Sequence, residues 1–254
     1  MKQVYRLILI CLSFVCLSFI TIKKENGITK VTYKVKVNLE DYPKRYKGFS
    51  EKKIKALKYL YSKRSELDYT LIFDNTEGYF YLNNTPILES DIDSKALNKI
   101  IKREKEKTCY YNRTNNEVIL SRMRGGERIL VVDSLSKIKW DLTNESKKIG
   151  DFTCFKATIA KGKNLLAYDE NLKIEAWYTP QIPIPFGPVQ FEGLPGLILE
   201  LKLGRNTYYA SSVKYNQNDS IIKPTKGKKI TRLEYSNNLN EFVKDLKRRV
   251  QTRN

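Results

Sequence analysis

Several segments of this chain alternate between apolar and polar residues, a pattern that is typical of half-buried strands. In residues 31–37, valine and tyrosine occupy the odd positions, whereas threonine and lysine occupy the even positions. Alternation returns in residues 66–74 and resumes at residue 79 after a polar turn over residues 75–78. This arrangement predicts an opening strand that is followed, further along the chain, by a β-hairpin.

Two other segments of the N-terminal half have the period of an α-helix. Residues 50–64 begin with a serine at the N-cap position and place Ile54, Leu57 and Leu60 on one side. This pattern predicts a helix of about four turns. Residues 90–102 are predicted to form a shorter helix on the same grounds.

A third helical pattern lies near the C terminus, where Asn238 is predicted to cap an amphipathic helix. Its apolar positions recur at helical spacing and are Leu239, Phe242, Val243, Leu246 and Val250. The opposite face carries lysine and arginine, and cations near a helix C terminus interact favourably with the helix dipole.

The second half of the chain consists of short strand-like runs separated by turns that contain Asn, Gly and Asp. The runs are residues 108–112, 117–121, 127–133, 136–142, 152–160, 172–179, 197–203 and 207–215. Such spacing is typical of antiparallel strands. We therefore predict an α+β fold that is mainly β. The expected architecture is a curved antiparallel sheet, arranged as a sandwich or an open barrel, with a helix in the N-terminal half and an amphipathic helix at the C terminus.

The N terminus has the organisation of a secretory signal, with Lys2 and Arg6 before a long uncharged apolar run. We predict a signal peptide over residues 1–22, and an uncleaved membrane anchor is the alternative. A lipoprotein signal needs a small residue before its cysteine, whereas bulky residues precede Cys11 and Cys16. The protein is therefore expected in the periplasm or on the outer cell surface, without a lipid anchor.

Residues 23–254 are long enough for a single β-rich domain with a sizeable core. The chain has 47 basic and 28 acidic residues, so removal of Lys2 and Arg6 leaves a net charge of +17. Such a charge attracts anionic lipid, polysaccharide or acidic proteins. The basic residues are spread along the chain without a nucleic-acid motif, so nucleic acid is not predicted as a partner. No stable membrane span is predicted after signal removal.

Cys109 and Cys154 are the cysteines outside the signal segment, and each lies in a strand-like run. An oxidising compartment permits a disulfide between them. The alternative is that each cysteine is a small buried apolar side chain. The sequence leaves both interpretations open.

The complete absence of histidine excludes several kinds of catalytic and metal site. Nucleophile systems that depend on a histidine base are excluded, as are zinc sites with histidine ligands. Two cysteines cannot form a four-thiolate site, and no cofactor fingerprint is present. No metal or organic cofactor is predicted, and the chain is not predicted to be an enzyme. A carboxylate pair, Glu175 with Glu192 or Glu200, gives an alternative interpretation as an envelope hydrolase.

Alternation stops in residues 177–203, which are rich in proline. Proline favours extended backbone and lacks an amide donor, so this segment is predicted to be an ordered crossing loop. Proline and glycine at the central positions of residues 194–197 predict a type II turn. Aromatic residues beside a rigid loop can form a docking surface for sugar, peptide or protein. The predicted docking residues are Trp177, Tyr178, Phe186, Gln190 and Phe191.

The sequence GLPGLI occurs here as six consecutive residues, Gly193, Leu194, Pro195, Gly196, Leu197 and Ile198. The segment resembles the GLPGLI family of bacterial envelope proteins, which is named for this motif. The resemblance extends upstream through the Pro-rich loop and residues 138–158, and it covers about residues 107–215. It implies an exported single domain without an established activity. The motif residues themselves are expected to be structural.

We therefore expect an exported binding or accessory protein whose Pro-rich loop is a docking edge for an envelope protein, a peptide or a glycan. A carrier that holds a hydrophobic ligand in the concavity of the sheet is a second interpretation, and a carboxylate-based hydrolase is a third. Docking through the loop is predicted to tolerate salt, because an aromatic contact surface does not depend on charge. Exposed lysines, in contrast, are screened beyond about 8 Å at physiological ionic strength. The sequence does not define the oligomeric state.

Overall fold

The computed structural model describes residues 27–38, 50–83, 92–135, 138–159, 174–238 and 241. The predicted signal peptide lies outside these residues, and so do the predicted apolar positions of the C-terminal helix. Among the helices of the described residues, none is long and apolar enough to cross a membrane.

Twelve strands in the described residues form one sheet. In chain order they are β1 Ile28–Val37, β2 Tyr69–Phe73, β3 Glu77–Leu82, β4 Thr108–Asn112, β5 Glu117–Arg124, β6 Glu127–Asp133, β7 Asp141–Ile149, β8 Phe152–Ile159, β9 Ile174–Thr179, β10 Leu197–Leu203, β11 Asn206–Gln217 and β12 Lys228–Thr231. Their order across the sheet is β12-β6-β5-β4-β3-β2-β1-β11-β10-β9-β8-β7. Strands β1 to β6 form one antiparallel meander and β7 to β11 form a second, and the pairing of β1 with β11 joins them.

The sheet is open, because the strands at its two edges, β7 and β12, do not pair with each other. All neighbouring strands run antiparallel except β12, which pairs with β6 in parallel. The predicted α+β, mainly β fold is confirmed, and its sheet is the open form rather than a closed one. The described strands do not divide into the two sheets of a sandwich.

Two helices of the N-terminal half, α1 (Glu51–Arg64) and α2 (Ile92–Lys105), lie where the sequence predicted them. Ser50 occupies the N-cap position of α1 in an extended conformation, but its side chain makes no capping hydrogen bond. Its carbonyl accepts the amide of Ile54 at 3.0 Å, which is the first hydrogen bond of the helix. Helix α2 contributes the buried side chain of Ile101 to the core.

The sheet has an apolar inner face and a more polar outer face. On β1, Val31, Tyr33 and Val35 are buried on the inner face, whereas Lys34 and Lys36 lie on the outer face. This is the alternation that the sequence predicted, because successive side chains of a strand point to opposite faces. Inner-face side chains of both meanders belong to one core cluster.

Residues 218–227 form a strap that leads from β11 to the distant edge strand β12. Ile221 of the strap packs against Tyr110, Ile119 and Leu130, which form a second apolar cluster separate from the main core. This cluster buries Tyr110 of β4, and every residue of β4 is buried, although a strand with one solvated face would alternate. The sequence analysis predicted neither the strap nor β12.

Strand β7 differs from its prediction, because it begins at Asp141 and ends at Ile149. The sequence had placed a strand over residues 136–142, where apolar residues alternate. Most side chains of β7 are exposed, since β7 is an edge strand. A strand without a buried face lacks the apolar alternation on which the prediction depended.

The last described helix spans residues 232–238 and therefore includes Asn238, which the sequence analysis had predicted to be its cap. Thr231 and Glu234 cap this helix instead. The Thr231 amide donates to Glu234 Oε2 at 2.6 Å, and the Glu234 amide donates to Thr231 Oγ1 at 3.2 Å. This reciprocal pair is a capping box, and it places the N-cap at Thr231, seven residues before Asn238.

Candidate functional site

The Pro-rich segment folds as a long loop, residues 180–196, between the neighbouring strands β9 and β10. This crossing loop packs its apolar side chains against the inner face of the sheet. The buried ones are Ile182, Ile184, Phe186, Phe191 and Leu194. The loop is therefore a part of the hydrophobic core rather than an edge that projects from the sheet.

Phe186 anchors the crossing loop to the first meander. Its fully buried ring stacks on Tyr111 of β4 with 4.9 Å between the ring centroids, and it meets Phe73 of β2 edge to face at 6.3 Å. Strand β3 makes room for this ring with Gly78, where an added Cβ would lie 2.9 Å from Cδ2 of Phe186. The loop thus connects the two meanders across the inner face.

Aromatic side chains of neighbouring segments supply hydrogen bonds to the backbone of the crossing loop. Proline has no amide hydrogen, so fewer backbone donors are available in a Pro-rich segment. The Tyr111 hydroxyl donates to the Gly187 carbonyl at 3.0 Å, and Trp140 Nε1 donates to the Glu192 carbonyl at 2.8 Å. These bonds satisfy buried carbonyl groups and fix the path of the loop.

The GLPGLI motif ends the crossing loop, but it does not form the predicted type II turn. The Gly196 amide donates to the Leu194 carbonyl at 2.7 Å, which closes a three-residue turn around Pro195. A type II turn would direct the Leu197 amide to Leu194. That amide instead donates to the Ile182 carbonyl at 3.0 Å, so the predicted turn type is wrong because its donor is used within the loop.

Gly196 is required by a close backbone contact rather than by a turn type. An added Cβ would lie 2.1 Å from the carbonyl oxygen of Thr179 and 2.5 Å from its carbonyl carbon. Both are backbone atoms at the end of β9, so no side-chain movement relieves the overlap. Leu194, Leu197 and Ile198 of the same motif are buried. The motif therefore packs the end of the loop against the sheet.

The aromatic residues that were predicted to form a docking surface do not lie together on an exposed surface. Phe186 and Phe191 are fully buried, and Tyr178 is buried on the inner face of β9. Trp177 is half-buried on the outer face, and Gln190 is half-buried in the crossing loop. Three of the five predicted docking residues thus contribute to the core: Phe186 and Phe191 because the loop folds inward, and Tyr178 because it lies on the inner face of β9.

Cys109 of β4 and Cys154 of β8 are both free and buried. Of the two interpretations that the sequence left open, the structure has separate buried thiols and no disulfide between them. Burial raises the pKa of the Cys109 thiol to about 12 and that of the Cys154 thiol to about 11. Neither side chain is therefore a reactive thiolate at neutral pH.

An open groove of about 880 Å³ lies on the outer face, where β1, β11, β10 and β9 run side by side. Its lining includes charged side chains of both signs, namely Lys36, Lys58, Lys202, Arg205, Glu175 and Glu200. Thr207 and Tyr209 of β11 also line it, and Tyr209 is 37% exposed. This groove is the second candidate site.

The strand register places one set of groove residues in a row across four strands. Lys36 lies opposite Thr207, Thr207 opposite Lys202, and Lys202 opposite Glu175. Neighbouring strands are about 4.8 Å apart, so the backbones of Lys36 and Lys202 are separated by about 10 Å. Neither lysine, nor Lys58 of α1, forms an ion pair or hydrogen bond within the described residues.

A second row lies two positions along each strand, and ion pairs neutralise its charged side chains. This row crosses the sheet through Lys34, Tyr209, Glu200, Trp177 and Lys156. Lys147 Nζ lies 2.7 Å from Glu200 Oε2 and 4.3 Å from the centroid of the Trp177 ring. Lys156 Nζ lies 2.9 Å from Glu145 Oε1. The two rows therefore differ, because the cations of the second row have partners and the lysines of the first row do not.

The carboxylates that the sequence suggested for hydrolysis are divided between the two faces. Glu192 is buried in the crossing loop, whereas Glu175 and Glu200 line the groove on the outer face. Glu200 Oε2 lies 2.7 Å from Lys147 Nζ, so this carboxylate is engaged in an ion pair. The sheet therefore separates the pair of Glu175 with Glu192, and in the pair of Glu175 with Glu200 one carboxylate is bound by a lysine.

A cluster of charged side chains lies between α1 and α2, and the sequence analysis did not predict it. Glu104 of α2 is 9% exposed, and its Oε1 lies 2.7 Å from Lys107 Nζ and 3.8 Å from Arg64 Nη2. Tyr69 donates to Glu104 Oε2 at 3.2 Å, and Arg64 Nη2 lies 3.4 Å from the Tyr208 hydroxyl. Burial alone would raise the pKa of Glu104, but Lys107 and Arg64 outweigh burial and lower it. Glu104 therefore stays ionised and ties the helices to β2 and β11.

Sequence reasoning missed the groove, although part of its signal was visible. Lys36 and Lys202 each occupy a polar position between apolar neighbours of a strand, which marks the solvated face of that strand. The two strands lie far apart in sequence, and only the pairing of β1 with β11 brings them together. Among the residues that the structure describes, no group of three or more acidic or thiol side chains is placed to hold a metal ion.

A family model described as Protein of unknown function (Porph_ging) matches residues 161–200 of this chain. The matched segment includes β9, the crossing loop with its GLPGLI motif, and the first residues of β10. No curated protein matches the chain. Within the described residues, the family similarity therefore includes the crossing loop that packs on the inner face.

Two solved structures of PNGF-II are similar in fold. The structure in the C2 space group has a TM-score of 0.52 at 17% identity, and the one in P21 has a TM-score of 0.50 at 18% identity. Each alignment covers 83% of this chain but 32% of PNGF-II, and identity at this level supports similarity of fold alone. An uncharacterized conserved protein from Thermus thermophilus is 8% identical with a TM-score of 0.32, over 82% of this chain and 93% of that protein.

Proposed function

We propose that this chain is an exported, non-enzymatic binding or accessory protein of the bacterial cell envelope and a member of the GLPGLI family. The signal-like N terminus supports export. The unchanged motif, together with the match to a family of unknown function over residues 161–200, supports the family. Recognition takes place in the groove of the outer face and not at the Pro-rich loop.

The observation that supports this proposal most directly is the contrast between the packed inner face and the open groove with its unpaired lysines. A carrier for a hydrophobic ligand needs an open apolar inner face, whereas the crossing loop packs its own apolar side chains there. A hydrolase needs carboxylates that converge on a substrate. Glu200 is paired with Lys147, and Glu192 is buried on the inner side. Both alternatives therefore have less support than binding.

The groove suits recognition because strands hold most of its charged side chains, while Lys58 lies on α1 and Arg205 in the turn between β10 and β11. The backbone positions of the strand residues are fixed before a ligand binds, which limits the conformational entropy lost on binding. Lys36 and Lys202 are exposed, so salt weakens their attraction for an anionic partner. Binding in the groove is accordingly salt-sensitive, in contrast to the salt-tolerant docking that was expected for the loop.

Crosslinked capture from the native cell envelope tests this function. The wild-type protein is compared with the variant Lys36→Glu/Lys202→Glu and with the control Lys226→Glu/Lys229→Glu. The control changes the net charge equally at exposed positions outside the groove lining. We expect the groove variant to lose its crosslinked partner and the control to retain it, with similar melting temperatures for all three. Equal capture by the three proteins would contradict recognition through the groove.

A further inference from the structure

Two ammonium groups in the groove, those of Lys36 and Lys202, form no ion pair or hydrogen bond within the described residues. Lys36 and Lys202 flank Thr207 in one row on the same face of the sheet. The next row contains a lysine too, but Lys34 is paired with Asp68 at 3.0 Å. A ligand that supplies anionic groups to the first row can form charge-assisted hydrogen bonds with both of these ammonium groups.

Groups of different chemistry lie beside these lysines. Glu175 is directly opposite Lys202, and a carboxylate accepts hydrogen bonds but donates none. Tyr209 is two positions from Thr207 on the same strand and face, and its exposed ring presents an apolar surface. The groove thus combines unpaired cations, a hydrogen-bond acceptor, a threonine hydroxyl and an aromatic face.

We infer that the groove binds an acidic saccharide, with its anionic groups on Lys36 and Lys202, its hydroxyl groups donating to Glu175 and a sugar ring against Tyr209. An acidic saccharide carries all three features that this lining can recognise: negative charge, hydroxyl donors and an apolar ring face. The inference rests on the proposed binding function and names its ligand class.

Other polyanions match the lining less well. A flat anionic membrane offers no ring face to Tyr209 and would bring its negative charge against Glu175 and Glu200. A single-stranded nucleic acid places a phosphate at every nucleotide and stacks its bases on several aromatic platforms. Glu175 and Glu200 would repel such a regular chain of phosphates. In a saccharide, neutral hydroxyl groups lie between the anionic groups, so carboxylates in the groove are compatible with it.

Calorimetric titration of the purified protein tests the inference with two acidic probes. Oligogalacturonate carries carboxylates, and a heparin oligosaccharide carries sulfates as well. A maltooligosaccharide of equal length provides the uncharged comparison, and inorganic polyphosphate provides charge without a sugar ring. We expect at least one acidic saccharide to bind more tightly than polyphosphate, with an affinity that falls as salt is raised. The maltooligosaccharide is expected not to bind.

Variants assign this binding to the groove. Lys36→Ala/Lys202→Ala is expected to weaken saccharide binding by at least about tenfold, because hydrogen bonds to charged groups are among the stronger contacts. Tyr209→Ala should weaken it by about fivefold and leave any polyphosphate binding unchanged. Lys226→Ala/Lys229→Ala, which removes the same charge outside the groove, should bind as the wild type does.

Three results would overturn the inference: no binding of either acidic saccharide, binding that survives the loss of both groove lysines, or tighter binding of polyphosphate or phosphatidylglycerol vesicles. The proposed function has a separate readout. If the crosslinked envelope partner depends on Lys36 and Lys202 while neither saccharide binds, the binding function stands and the ligand class is wrong. If partner capture does not depend on these lysines, the proposed function itself fails.

Discussion

On strands β9 and β10, neighbouring residues have opposite environments. Ala176 and Leu201 are paired across the two strands and fully buried on the inner face. One position along, Glu175 and Lys202 lie opposite each other across the two strands, and both line the open groove on the outer face. The same backbone therefore supports a packed core and a charged surface.

This difference separates residues that stabilise the fold from residues that are available to a ligand. Each square ångström of apolar surface removed from water contributes about 25 cal/mol, so large buried rings dominate the inner face. An ion pair that stays partly exposed contributes about 0 to 1 kcal/mol. Substitutions on the inner face should therefore reduce stability, whereas substitutions on the outer face should mainly change binding.

The largest effect is expected for Phe186→Ala. The variant removes a fully buried ring that stacks on Tyr111, and a loss of about 4 kcal/mol in the free energy of unfolding should follow. Tyr209→Ala, at an exposed ring of the outer face, should change stability by less than about 1 kcal/mol. Chemical denaturation of both variants measures the difference. A loss below that of Tyr209→Ala would show that the loop is not a part of the core.

A slightly smaller effect is expected for Gly196→Ala. The added Cβ would overlap the backbone of Thr179, so the end of the loop must move away from β9, at a cost of roughly 3 kcal/mol. Gly150→Ala is the matched control, because Gly150 has a φ of +55° but no atom within 4 Å of an added Cβ. Its cost should be about 1 kcal/mol from backbone strain alone. Equal losses in thermal or chemical unfolding would rule out the close contact as the reason for this glycine.

Elements with one buried face could be predicted from the sequence, and elements without one could not. The valines and tyrosine of β1 alternate with lysines, so both the strand and its inner face were identified correctly. Strand β7 exposes most of its side chains, and its position was wrong. The capping box of Thr231 and Glu234 was readable, but the later apolar pattern shifted the predicted helix start to Asn238.

The candidate site was harder to predict because it depends on long-range pairing. A Pro-rich segment has no alternation, so nothing in its sequence distinguishes a loop that folds onto the core from a loop that projects outward. Phe186 and Phe191 were therefore assigned to a docking surface, although both are buried. Lys36 and Lys202 meet across Thr207 only through the pairing of β1, β11 and β10, which no local pattern specifies.

The smallest effect on stability is expected for Lys147→Met, which tests whether the outer face contributes as little as the comparison requires. Methionine retains an unbranched apolar side chain beside Trp177 but removes the charge that pairs with Glu200. The Lys147 and Glu200 side chains are 35% and 27% exposed, so water screens the pair, and the free energy of unfolding should fall by about 1 kcal/mol or less.

A double-mutant cycle of Lys147→Met with Glu200→Gln isolates the contribution of the pair from the loss of other contacts. Because two half-exposed charges interact weakly, their coupling energy should be below about 1 kcal/mol and should decrease further as salt is raised. A coupling energy near that of a buried pair, about 3 kcal/mol or more, would mean that Trp177 and its lysines are packed as tightly as the core. The outer face would then stabilise the fold as the inner face does, and the separation between core and recognition surface on β9 and β10 would not hold.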